Sequence, residues 1–448
     1  MTTPKVSSKE QERLKTAFER TPTFFQLLTT LRSRRVGAGY TVDSGTREVH
    51  GVTGRRLENT GGPLSFVSTA APHPLTELET ALLCWAACGP NGIVAGDIGL
   101  SNNPGVLMQF GGRTIPAAGN DHAVELIFSN DEGTFLYRPT GNRTRVVEIE
   151  SEADYPKVVE WFREGVVKLS DQRLDVDWAI SPGRPMGIWQ YNLNRPGTTW
   201  FIPVADAAKS MVNLYFSVFE HMHWLITDED TGEPCGLERW ARPGFLEVPI
   251  TQRTYEEVML HMADYQHGML IQNLRLAAEA LGLGCWIFGG FCEEIVMGGF
   301  RPLAKGLRFR YKVIDGKRNY VGLPKVLEGF GLPAPWHKSP NDLIDRVLAL
   351  REDAISKTSY RPEVQETLRD NPAFKPSEWA VEATRAVLNY LFERYGRFPV
   401  YFSTFHSNLH AQLHHLDAAF YKNYFQPGYL NDRHLQHKAT WHDDDTKG

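Results

Sequence analysis

The sequence predicts an α+β fold arranged about one long buried helix. Three observations carry this reading. In the stretch from Thr254 to Leu281, apolar residues (Met269, Leu270, Ile271, Leu274, Leu276, Ala277, Ala278, Leu281) crowd the second half on nearly every side. A helix of that pattern is expected to be enclosed, not laid on a surface. Val124–Ser129 and Thr134–Arg138 are strand-like runs joined by Asp131, Glu132 and Gly133, the pattern of a β-hairpin. A further strand-like run, Thr198 to Val204, leads into a helix from Asp206 to His223.

Thr254 and Glu257 have the spacing of a capping box and give the long helix a start. Gly282 is its expected left-handed cap. Roughly 27 residues at about 1.5 Å each make a rod of about 40 Å. Gly284, Gly289 and Gly290 follow in one turn-and-strand segment, so something flat or extended is expected where the rod ends in bare backbone.

From the N-terminus, Ser7 to Arg35 reads as a polar turn and an amphipathic helix broken near Pro22, ending in Arg32-Ser33-Arg34-Arg35. Tyr40 to Pro74 is loop and short strand. Thr76 and Glu79 form a second capping box, opening an apolar helix that runs to Cys88. A long irregular connection follows to Gly112, of the kind that forms lids or pocket walls. Trp161, Trp178, Trp189 and Trp200 lie in the next block and read mostly as core. Asp228 to Glu233 is a polar turn. Leu307 to Ile314 reads as a strand, and Pro324 to Gly448 adds helices at about Asn341–Arg351 and Ser377–Tyr395 with a strand near Val400–Ser403.

His406, His410 and His414 recur every fourth residue, so a helix would stack them on one face. Neutral imidazoles so placed could bind a first-row metal. The H-E-x-x-H signature is absent, and the tail histidines are read first as structural or surface groups, with substrate contacts as a further reading and no metal assigned.

The chain has 448 residues, 23% charged and 42% hydrophobic, with 48 basic against 53 acidic side chains. Its balance is that of an ordinary globular protein, and its net charge of −5 speaks against a nucleic-acid binder. No apolar run reaches the ~20 residues of a membrane span, and MTTPKVSSKEQERLK is no secretory signal. The five cysteines read as reduced core thiols of a cytoplasmic protein. There is no dinucleotide G-x-G-x-x-G after a strand, no phosphate loop and no G-x-S-x-G elbow.

QNLRLAAEALGLGCW resembles the central helix and glycine turn of the nitroreductase-like flavin oxidoreductases. GRTIPAAGNDHAVELIF resembles the R-x-x-P-S-A-G segment of their SagB-type branch, and PLTELETALLCWAACG the helix before it. The resemblance implies a mixed, mainly antiparallel sheet surrounded by helices. It implies a flavin domain over residues 1–323, with an insertion at about 139–205. Residues 324–448 then form a C-terminal helical extension, packed on the same domain or on a dimer partner. It further implies an intertwined homodimer binding FMN, with hydride passing through flavin N5.

Under the resemblance, Arg32, Ser33 and Arg35 would take the flavin phosphate; the other reading is a solvated helix end. Arg113, Pro116, Ala117, Ala118, Gly119 and Asn120 would pass the ring and ribityl chain, although relatives carry serine where Ala117 stands. Gly289 and Gly290 would offer backbone N–H groups. Arg308 and Arg310 would complete the phosphate site or face solvent on an edge strand. The expected substrate is a small organic molecule: a nitroaromatic, quinone or activated alkene to be reduced, or a C–N or C–C bond to be oxidised. NAD(P)H would visit the flavin pocket transiently as electron donor. The Lys-Tyr pair of the azoline oxidases has only Asn389-Tyr390 as a counterpart. The alternative is a redox-inactive protein that keeps the fold to bind flavin or another ligand.

Overall fold

The computed structural model describes residues 6–442 apart from 43–45, 49–55, 59–65, 92–111, 118–120, 139–148, 177–192, 300–303, 333–335, 357–361, 364–365 and 367–374. The main helices are α1 (Ser8–Glu19), α2 (Phe24–Thr30), α3 (Glu77–Cys88), α4 (Lys157–Gly165), α5 (Ala207–Met222), α6 (Gln252–Leu281), α7 (Glu293–Met297), α8 (Pro340–Ser356), α9 (Glu378–Tyr395), α10 (Ala418–Tyr424) and α11 (Asp432–Trp441). Two short pairs, β1 (Thr41–Val42) with β4 (Phe66–Val67) and β2 (Thr46–Glu48) with β3 (Arg56–Glu58), lie near the N-terminus. The large sheet uses β5 (Val124–Asn130), β6 (Gly133–Tyr137), β7 (Val166–Ser170), β8 (Thr198–Asp206), β11 (Gly284–Phe288), β15 (Phe405–His406) and β16 (His410–His414). Between them, β9 (Trp224–Thr227) pairs with β10 (Val248–Thr251), and β12 (Arg310–Ile314), β13 (Lys317–Leu323) and β14 (Leu327–Glu328) make a small sheet.

The large sheet is seven-stranded, in the order β11-β16-β8-β5-β6-β7, with β15 also on β8. Every pairing in it is antiparallel. The fold is α+β, as the sequence predicts. All nine residues of β8 are buried, because the strand is covered on both faces. Trp200, Ile202 and Val204 join Trp286 and Phe288 on one side. Phe201 and Ala205 meet the α3–α6 core on the other.

The C-terminal part contributes strands as well as helices. β16 lies inside the sheet, with Gly284 opposite His414 and Ala411 opposite Phe201. The helical reading of His406, His410 and His414 is therefore corrected. Ala411 and Leu413 alternate with the polar residues and face the main core, so the period that governs is two. The buried polar side chains of β16 are satisfied in part by bonds: Trp200 Nε1 donates to His410 Nδ1 at 3.2 Å, and Gln412 Nε2 donates to the Tyr40 hydroxyl at 3.1 Å. The expected strand near Val400–Ser403 is irregular, and pairing begins at Phe405.

α6 has 30 residues and starts earlier than the capping-box spacing suggests. Its N-cap is Thr251, whose hydroxyl accepts from the Thr254 amide at 3.2 Å. Gly282, at φ +83°, closes it as expected. Enclosure on every side is also corrected. Leu270, Ile271, Leu274 and Ala278 are buried, while Tyr265 is 63% and Met269 39% exposed on the opposite face. The helix instead joins two cores. Its second half packs with α3 and β11, and its first half, through Tyr255 and Met259, packs with α5, α8 and α9. Tyr255 stacks on Tyr215 with ring centroids 4.3 Å apart. The α3 capping box forms as read: the Thr76 amide donates to Glu79 Oε2 at 2.7 Å and the Thr76 hydroxyl accepts from the Glu79 amide.

Candidate functional site

α2 ends at Thr30, and the chain turns so that Arg32 and Ser33 are exposed. Arg32 Nη1 donates to the Thr30 carbonyl at 3.2 Å. The Arg35 guanidinium stacks 3.7 Å over the Trp286 ring. Arg34, the residue the expected phosphate pattern skips, is the buried one, paired with Glu279 at 2.7 Å. The Arg34 amide donates to the Cys285 carbonyl, which fixes this segment beside the start of β11. Gly289 and Gly290 follow the other end of that strand, about 13 Å away at four strand steps. Gly290 is exposed at φ +69°. Among the described residues, a Cβ on Gly289 would meet the Asn408 carbonyl oxygen at 3.3 Å.

Arg113 is buried, with Nη1 donating to the Val124 carbonyl at 2.6 Å and Nη2 3.4 Å from Glu125 Oε1. Its guanidinium anchors the loop to β5. Pro116 is exposed and Ala117 half-buried; Ala118, Gly119 and Asn120 lie outside the described residues. Arg308 and Arg310 are exposed on either side of Phe309, which packs on Phe405 at 5.1 Å. Phe405 stands opposite Asp206, whereas Cys285 aligns through Leu413 with Thr199. Seven steps of β8 separate those levels, about 23 Å. In one copy of the chain, Arg308 and Arg310 are not brought to the phosphate group expected of Arg32, Ser33 and Arg35.

Two expected segments do converge. The loop that begins at Arg113 reaches Ala123, whose amide donates to Gln266 Oε1 at 3.0 Å. The next residue of α6, His267, sets Nδ1 2.9 Å from Asn408 Oδ1, and Asn408 borders Gly289. Around this point gather Asp264, His267, Glu293, His406 and Asn408. His406 Nε2 is 2.9 Å from Asp264 Oδ1 and its Nδ1 3.3 Å from Glu293 Oε1. Burial disfavours its charge, but the two carboxylates outweigh that and raise its pKa above the usual histidine value. Both ring nitrogens face carboxylates, an arrangement that favours the protonated ring, and Asp264, His267 and His406 also have metal-ligating composition. His267 is the opposite case. Burial and the nearby His406 charge bring its pKa down to about 3, and its Nε2 is buried without a hydrogen-bond partner.

The cluster therefore sets two imidazoles whose pKa values are pushed apart, His267 down and His406 up, near the exposed Gly290, with exposed Asn408 at its rim. This is the arrangement of a proton-handling site. Sequence reasoning missed Asp264, His267, Glu293 and Asn408. The available signal was the polar group Asp264, Gln266 and His267 just before the apolar second half of the helix. A second group of metal-ligating composition, Glu79, His415, His437 and His442, is buried on the far side of α6 from the exposed Tyr265 face.

The residues present fit a flavin in part. The glycine turn leaves main chain accessible to a flat ring, and Arg32 and Ser33 leave polar groups at the surface beside β11. Arg113 is committed elsewhere. No family model and no curated protein matches the sequence. Among solved structures, the chain is similar to a candidate nitroreductase from Ralstonia eutropha JMP134, at 13% identity over 65% of this chain and 82% of that one, with a TM-score of 0.25. A similarity that low carries no weight for function. Among the described residues, no helix is long and apolar enough to cross a membrane.

Proposed function

We propose that this chain is an FMN-dependent oxidoreductase of nitroreductase-like architecture, acting as a cytoplasmic homodimer on a small organic substrate. The observation that carries the reading is the succession α6, Gly282, β11 and the glycine turn, which ends at the exposed Gly290 beside the Asp264–His406 cluster. It is the arrangement that the resemblance of QNLRLAAEALGLGCW leads one to look for. Bound FMN would supply hydride chemistry at its ring. The chain's own part is to present backbone at Gly289 and Gly290, to offer Arg32, Ser33 and Arg35 to an anionic end, and to hold a proton at His406. His406, kept charged by Asp264 and Glu293, is placed to give that proton to a substrate anion formed on reduction of a nitro, quinone or activated-alkene group. NAD(P)H is the electron donor in this reading.

Reduction is favoured over peptide azoline oxidation. Tyr390 donates to Asp228 Oδ2 at 3.0 Å and Asn389 to the Arg385 carbonyl, so that pair serves the Asp228 turn and helix α9. The test is the absorbance spectrum of freshly purified protein, then titration of stripped protein with FMN. A yellow protein releasing FMN, bleached by NADH or NADPH, is expected. Protein that is colourless and does not bind added FMN would overturn the reading and leave the redox-inactive ligand binder.

A further inference from the structure

Glu79, His415, His437 and His442 form a closed cluster of four buried side chains with mutually facing ligand atoms. They come from three separate places: the first turn of α3, the residue after β16, and α11 with its C-cap. One carboxylate oxygen, Glu79 Oε1, lies 3.1 Å from His415 Nε2, 2.7 Å from His437 Nε2 and 3.2 Å from His442 Nε2. His415 Nε2 and His442 Nε2 are themselves 3.1 Å apart.

Without a cation, three Nε2 atoms crowd a single carboxylate oxygen. His437 Nδ1 is 2.6 Å from the Leu281 carbonyl, and His415 Nδ1 is 2.8 Å from the His73 carbonyl. A carbonyl only accepts, so both Nδ1 atoms carry hydrogen, and in the neutral imidazole each Nε2 is a lone pair. Two lone pairs then face a carboxylate oxygen. Protonating all three rings would bury three positive charges against one negative, with two Nε2–H groups aimed at each other across 3.1 Å. Such a buried excess of charge is strongly unfavourable. One small divalent cation removes the conflict by accepting all four lone pairs.

We propose that Glu79, His415, His437 and His442 bind a first-row divalent cation, Zn2+ by ligand chemistry, as a structural centre. Metal–ligand distances of about 2.0–2.1 Å in a tetrahedron give ligand–ligand edges of about 3.3 Å; three of the four contacts, at 3.1, 3.1 and 3.2 Å, are near that, and Glu79 to His437, at 2.7 Å, would open on binding. The supporting bonds are those of a built site. His415 and His437 each donate Nδ1–H to a backbone carbonyl, and His442 Nδ1 lies 3.0 Å from His73 Nε2. The two bonds to carbonyls fix the tautomer that leaves Nε2 of His415 and His437 for the metal. Glu79 Oε2 is engaged by the Thr76 capping box, which leaves Oε1 to coordinate. Four protein ligands and near-complete burial leave no open position, which marks a structural site, not a catalytic one. The metal ties α11 and the end of β16 to α3. It is independent of the flavin reading.

The experiment uses the full chain without a histidine tag, stripped with chelator and titrated with Co2+ as the probe. One equivalent is expected to bind, with the intense visible bands of tetrahedral Co2+, and Zn2+ is expected to displace it. Glu79→Gln, His437→Ala and His442→Ala are each expected to weaken binding by about 100-fold or more, since even supporting partners cost up to that much. His261→Ala, an exposed histidine on α6, is expected to bind as the unaltered chain does. His437→Cys is expected to keep the metal and add a thiolate-to-cobalt charge-transfer band. No stoichiometric uptake, unchanged affinity in the three ligand variants, or cobalt bound to the His437→Cys protein without that band would each overturn the proposal. If the variants do not fold, X-ray absorption of the zinc-loaded unaltered chain decides. Three imidazoles and one carboxylate are expected; fewer than two imidazoles would overturn it.

Discussion

Arg34 Nη1 and Glu279 Oε2 meet at 2.7 Å with both side chains almost wholly buried, although 245 positions separate them. The pair joins the segment after α2 to the last turn of α6, and Arg34 also donates to the Thr30 and Tyr429 carbonyls. Removing one partner strands a buried charge. Arg34→Ala is expected to lower unfolding free energy by about 3–5 kcal/mol, read from urea denaturation. The double replacement Arg34→Met with Glu279→Leu is expected to recover most of that loss.

The same carboxylate sets an acid limit. Burial pushes the Glu279 pKa up, but His434, Thr30 and Arg34 beside it prevail and bring it down to about 2. A depressed acid contributes stability that is present above its unfolded value, 4.5, and lost as pH falls through about 2. The contribution is on the order of 3 kcal/mol. Glu279→Gln is therefore expected to be less stable at neutral pH, and its stability should fall less between pH 4.5 and 2. Parallel pH dependences for the two proteins would refute this assignment.

His406 gives the opposite sign at the other end of the scale. Its pKa is raised by Glu293 and Asp264 against the effect of burial. Its contribution is full below the unfolded value, 6.5, and is lost as pH rises through the higher folded value. His406→Gln is expected to flatten the decline in melting temperature above pH 6.5. Glu293→Gln is expected to lower the His406 titration midpoint seen by NMR.

Gly282 closes α6 at φ +83°, and a Cβ there would lie 2.5 Å from the Arg433 carbonyl oxygen of α11. Gly232 has a similar φ, +72°, with nothing within 4 Å. Gly232→Ala pays only for the left-handed backbone, about 1 kcal/mol. Gly282→Ala adds a clash with backbone and is expected to cost about 2–3 kcal/mol in all, measured by denaturation. Equal losses at the two sites would mean that α11 yields freely.

What the sequence made legible followed local chemistry. The hairpin, the α3 capping box, the Gly282 cap and the Asp206 helix start all depend on residues within a few positions of one another, and each formed as read. The inner position of β16 depended on pairing with β8 and β11, which no local pattern records, and histidines at every fourth position suited two periods. The candidate site was legible in its glycine turn and in the loop that reaches Ala123. His267 and Asp264 were hidden inside a helix read only for its apolar residues. In the N-terminal cluster the spacing drew attention to Arg32 and Arg35, while burial singled out Arg34, because its partner lies in α6.

That distinction gives the flavin reading its sharpest comparison. Arg32 and Arg35 lie beside the start of β11, whereas Arg308 and Arg310 lie about 23 Å away along the sheet. If a phosphate sits at the first pair, each charge-assisted hydrogen bond is worth about 1.5–3 kcal/mol. Arg32→Ala with Arg35→Ala is then expected to weaken FMN binding at least tenfold, while Arg308→Ala with Arg310→Ala leaves it within about twofold, a difference under 0.5 kcal/mol. Gly290→Val is expected to abolish binding, because a branched side chain would stand where the ring meets main chain at φ +69°. Fluorescence quenching of added FMN measures all three. Loss of affinity in the Arg308 and Arg310 variant but not in the Arg32 and Arg35 variant would move the phosphate to the far end of β8. The ring would then have to approach the glycine turn from the His406 side.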